Sequence, residues 1–141
     1  MRRALVLLFT VAATIATVMG TATAADTRPV LSSGPGAQAL SCQSGWLCVW
    51  PVADGSSSLC TWGIDDPDWQ SGTAICSWSD SKPVKAIYNH GTSTGYSGVC
   101  LYANANYTNP KVYLAQGYAT TSSSVYLRSH RWVSSYSVCF P

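Results

Sequence analysis

GVCLYANANYTNP, residues 98–110, repeats the order of an earlier stretch, LCVWPVADGSS, residues 47–57. Cys100, Leu101 and Tyr102 stand where Cys48, Val49 and Trp50 stood, and small polar residues follow in both. The echo extends further. Val84-Lys85-Ala86-Ile87-Tyr88 begins 36 residues beyond Cys48, and Val133-Ser134-Ser135-Tyr136 begins 33 residues beyond Cys100. An opening strand, a hairpin-like polar turn and a closing strand therefore recur at nearly equal distance. That is the pattern of a duplicated four-strand unit, consistent with a Greek key.

Between these landmarks the chain has almost no helical periodicity. Short segments rich in β-branched and aromatic residues recur between turn formers: WLCVW (46–50), SLCTW (58–62), AICSW (74–78), VKAIY (84–88), GVCLY (98–102), KVYL (111–114), SVYLR (124–128) and VSSYSV (133–138). Several alternate with period two, as half-buried antiparallel strands do. Eight short strands at this spacing predict an all-β sandwich or barrel. The repeat divides it into a first unit over about residues 42–90 and a second over about 98–141.

The chain opens MRRALVLLFTVAATIATVMGTATAAD. Arg2 and Arg3, the apolar run Ala4–Val18 and the Ala22-Thr23-Ala24 site form a secretory signal peptide over 1–24, with no stop-transfer segment behind it. Residues 25–41 carry Pro, Gly and Ser without alternation and read as a flexible tail. The folded domain is expected over 42–141. Without the signal, the basic residues are Arg28, Lys82, Lys85, Lys111, Arg128 and Arg131, and the acids are six Asp with no Glu. Balanced and sparse charge gives no footprint for nucleic acid, nor for an anionic membrane after signal cleavage.

Cys42, Cys48, Cys60, Cys76, Cys100 and Cys139 all lie in the exported part. An even count in a small secreted chain reads as a disulfide framework, for which six cysteines allow 15 connectivities. No pair has the short C-x2-C spacing of a zinc site. Cys100 and Cys139 share the second unit and are expected to pair, leaving the other four to pair within the first.

LYANANYTN (101–109) looks like the first strand and turn of a βγ-crystallin Greek key, and RWVSSYS (131–137) resembles that motif's Ser-containing closing strand. More closely, residues 42–139, with the opening CQSGWLCVW, resemble the secreted, βγ-crystallin-like actinobacterial proteins of peptidase inhibitor family I36. The resemblance implies a disulfide-stabilised βγ-crystallin-like sandwich of two Greek keys. It also implies inhibition of an extracellular peptidase, for the founding member of a thermolysin-like metallopeptidase. In that founder the peptidase-contacting bond lies in the second Greek key, in a loop pinned by two nearby cysteines. The matching stretch here, about Asn104 to Val112, holds no Cys. Within it Asn109, Pro110, Lys111 and Val112 are the expected inhibitory loop, with Pro as stiffener and Val as the group for an apolar primed-side pocket. Crystallin-type calcium binding needs two Asn or Asp ahead of a Ser pair. His130 and Arg131 stand there instead, and Lys85-Ala86 fills the counterpart in the first unit, so no metal or cofactor is expected.

Two motifs raise the question of catalysis. GTSTG, residues 91–95, fits G-x-S-x-G around Ser93, with His90 before it and His130 after. A nucleophile elbow needs a strand–turn–helix in a large α/β sheet and an acid after the Ser, yet the last Asp is Asp80. The motif reads as a turn between the units. IDDPDW, residues 64–69, gathers Asp65, Asp66 and Asp68, and Asp-Pro is first of all a turn former. No catalytic residue is assigned, and the chain is read as a non-enzyme. An alternative partner is cell-wall glycan or a competitor's surface, bound as a monomer by a flat exposed cluster of Trp62, Trp69 and Trp78; core packing is the competing role for those aromatics.

Overall fold

A computed structural model describes residues 40–121 and 123–141. The expected signal peptide, and all but the last two residues of the expected tail, lie outside the described residues. In chain order the elements are β1 Leu47–Trp50, β2 Cys60–Trp62, β3 Ala86–Asn89, β4 Gly98–Asn104, β5 Thr108–Ala115, β6 Ala119–Thr120, β7 Ser129–Val133 and α1 Tyr136–Cys139. They form two antiparallel sheets, one of order β2-β1-β3-β6 and one of order β5-β4-β7.

The two sheets follow one plan. β1 sits between the strand that follows it and the strand that closes its half, and β4 sits likewise between β5 and β7. Each half also lends a segment to the other's sheet. β6 pairs with β3, while Asp66 makes an isolated bridge to His130 on β7.

The inner faces meet in a core of Leu47, Val49 and Ile87 from the first sheet against Val99, Leu101, Val112, Leu114 and Trp132 from the second. Burial of each such side chain is worth roughly 1.5–3 kcal/mol. The outer faces are covered as well. Cys48, Trp50, Ala86 and Ala119 lie under Leu40, Cys42 and Trp46, and Cys42 is bonded to Cys48. Cys100, Tyr102, Tyr113 and Val133 lie under Tyr136, Cys139 and Phe140, and Cys139 is bonded to Cys100. This explains the echo between the two opening strands. The Cys anchors an outer cover, the next residue enters the core, and the aromatic returns to the covered face. β1 is accordingly buried at all four positions rather than half-buried. Leu40, ahead of the first cysteine, belongs to this packing.

The third disulfide joins Cys60 to Cys76, so the expected pairing of Cys100 with Cys139 and of the other four within the first half is the one observed. Gly98 admits no side chain. A Cβ there would lie 2.6 Å from the Tyr113 ring, which crosses the strand at that point.

Three segments expected as strands differ. AICSW keeps its alternation, with Cys76 and Trp78 buried and Ser77 exposed, but it is a turn. The Cys76 carbonyl accepts from Ser79 N–H, and the Trp78 carbonyl accepts from Lys82 N–H. SVYLR makes one bridge, Val125 to Val84. In VSSYSV only Val133 is strand, and the chain then coils into α1, which carries Cys139 back over β4.

Candidate functional site

The stretch expected to hold the inhibitory loop is a hairpin. Asn104 pairs with Thr108 across a turn in which Asn106 (φ 57°) and Tyr107 (φ 58°) are left-handed. Asn109, Pro110, Lys111 and Val112 lie on β5 itself and not in a loop. Leu101 faces Val112 and Tyr102 faces Pro110, which leaves Lys111 as the extra residue of a β-bulge. Lys111 and Asn109 face solvent, Pro110 is half-buried, and Val112 points into the core. Val112 is therefore not available for a peptidase pocket. β5 is an edge strand, so Pro110 costs the sheet no ladder hydrogen bond.

The hairpin tip is tied down. Asn106 N–H donates to the Pro67 carbonyl at 2.7 Å, and Tyr107 N–H donates to Ser129 Oγ at 3.2 Å. The Ser129 hydroxyl in turn donates to the Asn104 carbonyl at 2.6 Å. The Arg131 guanidinium lies 5.6 Å over the Tyr107 ring. Burial first, then the nearby Asp65 and Asp66 carboxylates, push the Tyr107 phenol up from its usual value.

The Asn106–Pro67 bond joins the hairpin to a second, longer excursion, the 60–76 loop closed by Cys60–Cys76. Two of its three acids serve its own backbone, and the third, Asp65, ties it to β7. Asp65 accepts from Trp132 N–H at 2.8 Å, Asp66 accepts from Asp68 N–H at 2.8 Å, and Asp68 accepts from Gln70 N–H at 3.1 Å. Asp68 also takes Arg128 in a two-pronged ion pair, at 2.8 and 3.1 Å, and that guanidinium holds its carboxyl below the usual range. Asp66 and Asp68 thus take the turn roles expected of Asp in IDDPDW, whereas Asp65 bridges to another strand.

Beneath the loop lies a buried aromatic stack. Trp62 and Trp69 stack with ring centres 4.5 Å apart, and His130 lies at 5.1 Å from Trp62. Trp69 Nε1–H donates to His130 Nδ1 at 2.8 Å, so His130 carries its proton on Nε2 and donates it to the Ile64 carbonyl at 2.9 Å. Burial holds His130 down to about 3, so the ring is neutral in neutral solution. Trp62, Trp69 and Trp78 are all buried, which overturns their expected grouping as an exposed glycan-facing cluster; core packing accounts for all three.

Above this stack residues 71–75, Ser-Gly-Thr-Ala-Ile, are exposed in unbroken succession. Both ends are fixed, since Cys76 N–H donates to the Trp69 carbonyl at 2.7 Å and Trp69 N–H donates to the Arg128 carbonyl at 2.8 Å. Ile75 is 61% exposed and Ile64 78%, although both are aliphatic. The strand reading of AICSW hid this segment. The available signal was a run of small residues ending on an aliphatic just before a disulfide cysteine.

GTSTG is a turn, with Ser93 Oγ accepting from Gly95 N–H at 3.1 Å. Ser93 lines a pocket of about 170 Å³ with Gly45, Gly63, Gly91, Thr92, Tyr96 and Trp132. No His is among the lining residues. His130 has both ring nitrogens engaged elsewhere, and His90 Nδ1 lies 2.9 Å from the Cys42 carbonyl, holding the first disulfide's segment in place.

Compared with known proteins, residues 36–114 match the family model of peptidase inhibitor family I36, a span that holds both the 60–76 loop and most of the hairpin. No curated protein and no solved structure matches the chain.

Proposed function

The chain belongs to peptidase inhibitor family I36, a family of inhibitors and not of enzymes, and from that premise we propose that it blocks an extracellular metallopeptidase by presenting a rigid exposed segment to the cleft. Three disulfides fit an oxidising compartment, which agrees with the export signal in the sequence. The order shared by the two sheets, with each half lending a segment to the other, supports reading the halves as two Greek-key units of a βγ-crystallin-like sandwich.

The observation that carries the reading, beside the family, is how firmly the exposed segments are held. The hairpin tip and the 60–76 loop are bonded to each other and to the core beneath. A segment already ordered in the free inhibitor loses little conformational entropy on binding, so the contacts it makes are expressed as affinity. Of the four residues expected at the contact, Asn109 and Lys111 are the two that are exposed.

The test is a titration of thermolysin, subtilisin and papain with the oxidised, signal-free protein. The expected result is stoichiometric loss of thermolysin activity alone. Full activity of all three at excess inhibitor overturns the reading.

A further inference from the structure

We infer that the principal peptidase contact is the loop of residues 71–75, with Ala74–Ile75 as the bond laid in the cleft and Ile75 as the side chain entering an apolar primed-side pocket. This rests on the inhibitory reading above and assigns it a segment other than the hairpin.

Four observations converge on the loop. Its five residues are exposed one after another, which no buried or ladder-bonded segment offers a cleft. Its base is closed by the Trp69–Cys76 backbone bond and by Cys60–Cys76, and the Trp62 indole N–H reaches up to the Ala74 carbonyl at 3.3 Å. It therefore stands on the Trp62–Trp69–His130 stack as on a rigid base. Ser71, Gly72, Thr73 and Ala74 are small and uncharged; apart from Ser71 N–H, which donates to the Asp68 carbonyl at 2.9 Å, and the Ala74 carbonyl held by Trp62, their main-chain groups are open to pair with the cleft as an added strand would. Finally, the aliphatic exposure of the molecule is concentrated here. Leu59 and Ile75 are exposed next in sequence to the two cysteines of one disulfide and Ile64 within the loop it closes, and the other large exposed aliphatic among the described residues is Val138 on α1. Scattered exposed aliphatics are ordinary; two on one braced loop with a third beside its base point to a contact surface.

The fit is to a peptidase that selects an aliphatic residue on the primed side of the bond it cuts. The fold also accounts for inhibition over turnover. If the peptidase adds water across Ala74–Ile75, it leaves a carboxylate on Ala74 and an amine on Ile75. Residues on either side of the cut stay joined through Cys60–Cys76, so neither product leaves the cleft.

The experiment compares Ile75→Asp, Ile75→Leu and Lys111→Asp with the unaltered protein. Inhibition constants are measured against thermolysin, subtilisin and papain, and the complex is reduced after long incubation to map any cut. Three intact disulfides by mass and an unchanged melting temperature certify each variant, and Ile75→Ala replaces Ile75→Asp if that one melts early. The inference predicts at least a 100-fold weaker constant for Ile75→Asp, less than fivefold for Ile75→Leu, less than threefold for Lys111→Asp, and any cut at Ala74–Ile75. If Lys111→Asp abolishes inhibition while Ile75→Asp leaves it intact, or if the cut maps to residues 104–112, the loop assignment is overturned and inhibition stands. If the unaltered protein inhibits none of the three, the inhibitory reading is overturned, and the loop's role with it.

Discussion

At His130 a second proton has nowhere favourable to go. Nδ1 accepts the Trp69 indole N–H at 2.8 Å, so protonating it sets one N–H against another inside the core. Burial already holds the ring's pKa down to about 3, against an ordinary value of 6.5. Between those values the unfolded chain takes up the proton and the folded chain does not. The contribution to stability is complete above pH 6.5 and is lost progressively as the pH falls towards 3. From pH 7 to pH 5 this group alone should cost about 2 kcal/mol, read as the change in urea-unfolding free energy. His130→Phe removes that slope. At pH 7 it should also destabilise by about 2–4 kcal/mol, because the Trp69 N–H and the Ile64 carbonyl both lose a partner. A variant that unfolds with the wild-type pH profile would show that the acid sensitivity lies elsewhere. The Asp68–Arg128 pair works in the same direction at lower pH, since a carboxyl held below its usual range withdraws its contribution as it protonates.

Among the elements, β1 and β4 depend on covers that are not themselves sheet. The 40–46 segment lies over one and the α1 segment over the other, each joined to its strand by a disulfide. In the chain-entropy account, Cys100–Cys139, spanning 39 residues, is worth about 4 kcal/mol, and Cys60–Cys76, spanning 16, about 3 kcal/mol. Cys100→Ala/Cys139→Ala should show the larger loss by calorimetry while inhibition persists below the lowered melting temperature. Cys60→Ala/Cys76→Ala should lose less stability and more inhibition, because it loosens the 71–75 loop directly; equal inhibition by the two double variants would contradict this. The opening strands and the pairing were legible because a Cys, an apolar residue and an aromatic satisfy a strand buried on both faces, and little else puts a Cys there twice. AICSW misleads because a turn that buries Cys76 and Trp78 has the same alternation as a strand. Asn109-Pro110-Lys111 misleads for the opposite reason. Turn-forming residues sit within a strand, made possible by a left-handed Asn109 (φ 60°), a bulge at Lys111 and the free edge of β5. His130 has no local signature at all, since its partners Trp69 and Ile64 are more than sixty residues away.

For the molecule as a whole, charge is nearly absent from the contact argued here. Beyond residue 24 the chain carries six basic and six acidic residues, and residues 71–75 carry none. Of the loop's own acids, Asp68 is already neutralised by Arg128. A complex assembled on such a surface gains its free energy from apolar burial and main-chain hydrogen bonds, and electrostatic steering contributes little to its on-rate. Screening acts on exposed charges separated by more than the Debye length, which shrinks from roughly 10 Å at 0.1 M salt to about 3 Å at 1 M. The inhibition constant for the susceptible peptidase should therefore change by less than about threefold between 0.1 and 1 M sodium chloride, once the salt response of the free peptidase is subtracted, with the association rate equally flat. Sulfate, which strengthens effective apolar burial, should tighten the complex over the same range. An inhibition constant that weakens tenfold or more with sodium chloride would place ion pairs at the centre of the interface. It would move the contact from the uncharged 71–75 loop to the hairpin side, where the exposed Lys111 and the half-buried Arg131 carry charge.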